Sequence, residues 1–385
     1  MPEPESATAA ADQPAATAQA SKPTRLKSLD ALRGFDMLWI IGLDLLFRTL
    51  AGMTESPALV WLGKQVHHVP WDGLRLYDLI FPTFVFISGV AIPYALRGKL
   101  DNGASKLKLT LHTLKRVVIL IVLGMVYNGM LQFNWESLRV ASVLGLIGIS
   151  YGIAALVYLA GRSYWWRIST ALTILLGVAA LQLFYPVPDH GPGLLTREAI
   201  FNSWVDQHLL PGQLYFGFHD PEGLVCILSA GFLALLGCLA GELLHHRKSP
   251  QFRSVIQFTA AGATLLFLGW LCWDNGYPPI KSAWTSSFNL LAGGIALLLL
   301  AFFHLTIDFT PRINWSFPLQ VIGMNPLTIY ILYHILPFDH VSWFFFGGTA
   351  KLCGEWEKVV LIVGMLVVQW LLLLLFFRKH IFLRV

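Results

Sequence analysis

Charge is scarce in this chain. Only 13% of its 385 residues are Asp, Glu, Lys or Arg, against 56% hydrophobic, and the mean hydropathy is +0.62. A soluble domain carries about 25% charged residues, so the deficit points to a polytopic membrane protein. Cysteine is almost as rare: Cys226, Cys238, Cys272 and Cys353 show no CxxC spacing, and the first three sit in apolar segments. That argues against a zinc site or a disulfide framework and for free thiols. No Walker loop, HExxH, GxSxG or metal-ligand spacing occurs, which leaves ATP-driven, metalloprotease and α/β-hydrolase chemistry without support. The first 27 residues hold no apolar run, so no cleaved signal peptide is expected there. Their Ala, Pro, Thr and scattered acids read as a disordered cytoplasmic tail (1–27) ahead of a transmembrane domain (28–385). No repeat of 20 to 50 residues is visible and the two halves do not align, which weakens an inverted-repeat transporter.

Long apolar runs, by contrast, are abundant. Stretches of about 20 residues, the length that crosses a hydrocarbon core, fall near 34–52, 77–96, 117–133, 140–160, 168–186, 223–244, 254–272, 285–305, 318–338 and 359–377. The expected fold is therefore all-α: a transmembrane bundle of about ten spanning helices. Alternating the sides puts more than two-thirds of the 27 basic residues on the face that carries both chain ends. By the positive-inside rule both termini are cytoplasmic. The formal charge of +5 is thus a topology signal rather than a nucleic-acid footprint, since the basic residues are spread through short loops. The opposite loops, 53–76, 134–139, 187–222, 273–284 and 339–358, are rich in Trp, His, Pro and Asp.

A few polar residues stand out against this background. The first apolar stretch contains Asp36 and Asp44, and acids inside a membrane are expensive and default to paired or functional status. Asp36 reads as a structural partner of Arg33 or another basic residue. Asp44, roughly 16 Å beyond Arg33 and within roughly 80° of Asp36 around the helix, reads as functional, with only Arg48 in easy reach at i+4. His68 lies in His67-His68-Val69-Pro70-Trp71-Asp72-Gly73, a stiff turn that feeds the next apolar stretch. A near-neutral base there can handle a proton or an acyl group where water meets bilayer, with Asp72 or Asp78 to orient it. His219-Asp220-Pro221-Glu222-Gly223 reads as a helix N-terminus with Asp220 as its cap. Lys281, opening a later stretch, is either a snorkelling residue or an anion contact. Gly323-Met324-Asn325-Pro326 places a helix breaker beside an amide, the pattern of a site-lining kink.

These motifs together resemble heparan-alpha-glucosaminide N-acetyltransferase and its bacterial relatives. The resemblance rests on Leu29-Asp30-Ala31-Leu32-Arg33-Gly34-Phe35-Asp36, on His68 to Leu74 and on Asp78 to Gly89. Asp220-Pro221-Glu222-Gly223, Ile280-Lys281-Ser282-Ala283-Trp284-Thr285 and Gly323-Met324-Asn325-Pro326 extend it in the same order, from about residue 25 to 335. It implies transfer of an acetyl group from cytosolic acetyl-CoA, as co-substrate and without a metal, to an amino sugar or related glycan on the non-cytoplasmic side. His68 matches the family's essential histidine, acting as general base or acetyl carrier. Asp44 matches a first-span polar residue that is Asn in the lysosomal enzyme. Lys115 and Arg116 become candidates for the nucleotide phosphates, and Lys281 and Asn325 for the developing oxyanion. A short tail in place of a large luminal region fits a homologue in a bacterial inner membrane, among lipid, with a homodimer allowed. The rival readings are a proton-coupled transporter or flippase, with Asp36 and Asp44 as its relay, and a non-catalytic membrane scaffold.

Overall fold

The computed structural model describes residues 26–161, 163–245, 251–310 and 314–383. Residues 1–25, most of the expected tail, lie outside these, as do Arg162, Arg247, Lys248, Arg312 and Arg384 of the topology argument. The chain begins with α1 (Lys27–Leu38), a π-helical turn (Trp39–Leu43) and α2 (Asp44–Gly52), then doubles back as α3 (Pro57–Gln65). A tight turn (Leu76–Leu79) leads into α4 (Ile80–Asp101), followed by α5 (Lys106–Tyr127), α6 (Val143–Ala160), α7 (Tyr164–Phe184) and the short α8 (Phe201–Leu209). Next come α9 (Leu224–His245), α10 (Phe252–Asp274) and α11 (Ser286–Phe303), the last extended by a second π-helical turn (His304–Phe309). The chain closes with α12 (Phe317–Gly323), α13 (Pro326–Ile335), α14 (Phe338–Leu352) and α15 (Glu357–Arg378). Among the described residues the only extended pairing is a set of isolated backbone bridges, so the all-helical expectation holds.

Among the described residues eight helices, α4, α5, α6, α7, α9, α10, α11 and α15, are long and apolar enough to cross a membrane. They form two classes. The apolar windows of α4, α6, α9 and α11 are 61–72% buried inside the protein, whereas those of α5, α7, α10 and α15 are only 22–28% buried. The first four are the core and the second four present apolar faces outward, as an outer ring in lipid does. Small residues bring the core helices into backbone contact: a Cβ on Gly237 of α9 would stand 2.0 Å from the Phe86 carbonyl oxygen of α4.

Two expected spans are not continuous helices. In the first, Gly42 takes a φ of +135° within the π-helical turn, with Met365 of α15 packed where its Cβ would be. A π-helical turn carries one residue more than an α turn, so the 100° bookkeeping that put Asp36 and Asp44 on one side fails across it. Asp36 is buried to 2% exposure, while the Asp44 side chain keeps 14%. The stretch 318–338 is likewise a pair of short helices. Leu319 packs on Gly34 and Gly323 on Asp30, so α12 runs antiparallel to α1, and the chain reverses at Asn325-Pro326 into α13. The stretch 339–358, expected as a loop, contains α14; Asp339, His340 and Lys351 had broken its apolar run.

Candidate active site

The turn carrying His68 is tied down from several sides. Arg48 of α2 donates to the Val66 carbonyl through Nε and Nη2 (3.1 and 2.7 Å), and Trp71 Nε1 donates to Leu195 O at 2.7 Å. Arg197 donates to the Pro70 carbonyl. Gly73, at a φ of +111° that only glycine adopts easily, donates its amide to Pro279 O at 2.9 Å, and Asp72 bridges to Ile280. That bridge joins the His68 turn to the segment that presents Lys281.

Three side chains converge there. Asp78 stands in the turn that opens α4, with its side chain 1% exposed. Its Oδ1 accepts from His68 Nδ1 at 2.7 Å, and its Oδ2 accepts the Arg75 and Val69 amides at 3.1 and 3.4 Å. Lys281 Nζ lies 2.9 Å from His68 Nδ1, 3.2 Å from Nε2 and 3.6 Å from Asp78 Oδ1. Nδ1 cannot donate to Asp78 and accept from lysine at once, so the consistent arrangement has Nδ1–H on Asp78 and the lysine donating to Nε2. Burial pulls the Lys281 ammonium below its ordinary value, opposed by Asp78 and Glu222. The imidazole also rests on the Tyr77 ring (centroids 4.8 Å apart) and is 53% exposed.

The loop under Lys281 is held by buried polar groups. His219 Nε2 donates to Ser282 O at 2.7 Å, and Asn202 and Gln182 donate to Ala283 O at 2.9 and 3.0 Å. Nearby, Arg139 forks onto Asp220 (Nε–Oδ2 2.7 Å, Nη2–Oδ1 2.5 Å) and also contacts Glu222. Burial raises the Glu222 carboxyl despite the pull of Arg139. Asp220 caps the start of this segment as expected, its Oδ1 accepting the Glu222 amide at 3.0 Å while it also pairs with Arg139, and Asp206 adds a second cap by accepting the Leu224 amide on Oδ1 at 3.1 Å.

A cavity of about 360 Å³ leads toward this cluster from the other end of the bundle. Arg33, Arg116, Met324 and Leu383 line one end, and Phe81, Val143 and Tyr330 the other; Met37, Phe84, Ile87 and Leu120 make its walls apolar. Arg116 stacks on the Tyr151 ring at 4.2 Å. Arg33, expected to pair with Asp36, instead meets Asp30 at 3.2 Å and faces the cavity, while Asp36 Oδ2 is buried with no hydrogen-bond partner among the described residues. Arg33, which the sequence offers only as a partner for Asp36, shares a helix face with Met37 and Ile40 at i+4 and i+7, both of which line the cavity.

A family model described as a domain of unknown function (DUF5009) matches residues 25–184. The mouse heparan-alpha-glucosaminide N-acetyltransferase is 25% identical over 369 residues, 82% of this chain and 54% of that protein. The human one is 26% identical over 372 residues, 83% and 54% respectively. This chain is a distant relative of those acetyltransferases. It spans about half the length of the curated relatives it matches.

Of the residues singled out for such an acetyltransferase, His68, Asp78 and Lys281 come together, and Arg116 lines the cavity. Asp44 does not touch His68: it pairs with Arg48 at 3.1 Å and faces Tyr77, on which the imidazole rests. Asp72 is exposed and joins the site only through its backbone. Lys115 is exposed and not among the cavity-lining residues, one helical step away from Arg116. Asn325 is far from the imidazole. It sits beside Gly323 at the level of Asp30, whereas the His68 turn is held at the level of Arg48, about 27 Å of helix rise away. Its amide bonds the backbone of Ile381 and Leu383, so it anchors the C-terminal segment rather than an oxyanion.

Proposed function

We propose that the protein transfers the acetyl group of cytosolic acetyl-CoA to an amine, an amino sugar or related glycan, on the far side of a bacterial inner membrane. The observation that carries this reading is a His68–Asp78–Lys281 cluster one helical turn beyond the end of a cavity with two arginines at its other mouth. In this reading both termini are cytoplasmic, and the broken span α1–α2 and the short helix α13 complete the membrane domain. Arg33 and Arg116 hold the nucleotide phosphates by charge-assisted hydrogen bonds, and the pantetheine arm lies along the apolar walls. Such a cavity is within the range that holds small ligands, about 300–1,000 Å³.

His68 Nε2 takes the proton of the acceptor amine as its nitrogen attacks the thioester carbonyl. Asp78, accepting from Nδ1, fixes the tautomer that leaves Nε2 unprotonated and stabilises the imidazolium. Lys281, freed from Nε2, donates to the oxygen as it becomes an oxyanion. Collapse breaks the C–S bond, and the imidazolium returns its proton to the departing CoA sulfur. Direct transfer in a ternary complex needs a single positioned base, and positioning alone supplies about 7–11 kcal/mol. An acetyl-histidine intermediate is the alternative route through the same residue. Asp44 orients the site through Tyr77 and Arg48, so Asp44→Asn keeps part of the activity; complete loss would assign it the proton.

Incubation of purified protein with labelled acetyl-CoA and a panel of amino sugars and envelope glycans tests the reading. Label transfer that disappears in His68→Ala supports it, and no transfer to any acceptor contradicts it. The buried, unpartnered Asp36 Oδ2 favours one rival, proton-coupled transport. Substrate flux into vesicles without CoA, lost in Asp36→Asn, is the outcome that would select that rival.

A further inference from the structure

The donor cavity stops short of His68. Its outer end is formed by Phe81 and Tyr330, and Phe81 meets Trp284 edge to face, with centroids 5.4 Å apart and planes at 90°. Each ring of this pair follows a charged group of the site by three residues. Phe81 lies one turn along from Asp78, and Trp284 follows Lys281 at the end of its tight turn. The two rings therefore form a plate between the cavity and the groups that do the chemistry.

The two rings differ in freedom. Trp284 is 1% exposed at a left-handed φ of 46°, is backed edge-on by Phe288 at 5.7 Å, and its carbonyl accepts from Ser229 Oγ at 2.6 Å. It is fixed. Phe81 is only partly buried and borders open cavity volume, so its ring has room to turn while the indole behind it has none.

We propose that Phe81, backed by Trp284, is an acyl-size filter that admits a two-carbon acyl group to His68 and holds longer ones back. The inference rests on the acyl-CoA reading above and names its donor specificity. A thioester coming up the cavity has to pass the Phe81 ring to reach Nε2. The methyl of an acetyl group fits the gap left by a turned phenylalanine, whereas a propyl chain meets the immobile indole. One methylene against an apolar wall discriminates by about 10- to 200-fold. The closed plate also keeps outer water from the thioester.

The test measures kcat/KM for acetyl-, propionyl- and butyryl-CoA with one amine acceptor, together with CoA release when no acceptor is present. Wild type is expected to favour acetyl over butyryl by about tenfold or more. Phe81→Ala should shrink that ratio about tenfold and raise acceptor-independent CoA release, with Phe81→Leu in between. Should Phe81→Ala fail to fold, Phe81→Leu alone carries the comparison. A folded variant with both readouts unchanged, or a wild type indifferent to acyl length, overturns the filter while leaving acetyl transfer standing. A wild type that turns over no acyl-CoA overturns the acetyltransferase reading and the filter with it.

Discussion

The two ends of the cavity are built on different principles. At the outer end His68 and Asp78 are fixed by hydrogen bonds, and the backbone around them is tied to segments from α2, the loop before α8 and the strand-like stretch before α11. At the inner end Arg33 and Arg116 reach into the space on long stems, and the Arg116 Nε is buried with no hydrogen-bond partner among the described residues. Preorganised short side chains suit chemistry, where a small displacement is costly. Long cationic ones suit the holding of a charged ligand whose exact seat matters less.

Substitutions at the two ends should therefore separate kcat from KM. The largest effect is expected for His68→Ala, a fall of about 10²–10⁴-fold in kcat with acetyl-CoA binding intact by calorimetry. Weakened binding in that variant would erase the distinction between the ends. Lys281→Met should cost about 10²–10³-fold in kcat, again with little change in KM for the donor. Arg116→Ala and Arg33→Ala should act the other way, raising that KM by about 10–100-fold, the loss of one charge-assisted hydrogen bond, at nearly constant kcat. A smaller effect sharpens the outer end through pH. Lys281 must carry its proton to serve the oxyanion, and burial has lowered its affinity for that proton. Activity should thus fall on the alkaline side below the lysine value of 10.5, and Lys281→Arg should move that limb upward. The sign for stability is opposite: between the folded value and 10.5 the unfolded chain binds more protons, so stability rises with pH there. The smallest effect belongs to Asn325→Ala, which should leave kcat unchanged and lower thermal stability through the loss of its bonds to Ile381 and Leu383.

The sequence revealed the outer end better than the inner one, for a physical reason. The residues proposed to act there, His68, Asp78 and Lys281, are polar groups in turns at the ends of apolar runs, so their motifs made them candidates. Arg33 was hidden because an arginine at the mouth of a membrane helix has a ready topological explanation, and only packing shows which face it takes. Asn325 was misplaced because a helix breaker beside an amide says that backbone is freed without saying at what depth. The break in the first span escaped because Trp39-Ile40-Ile41-Gly42-Leu43 reads as uninterrupted helix until Met365, more than 300 residues away, packs against Gly42. Apolar run length made legible the eight helices, among the described residues, that are long and apolar enough to cross a membrane, while the antiparallel run of α12 beside α1 depends on Gly34 and Gly323 meeting face to face.

One experiment joins both ends. Protein reconstituted in a known orientation into sealed vesicles is given labelled acetyl-CoA on the side of Arg33 and Arg116, and an amine on the side of His68. The account predicts labelled amine on the His68 side, and none from His68→Ala or when acetyl-CoA is supplied only on that side. Acetylation that proceeds with donor and acceptor both confined to the His68 side would contradict it.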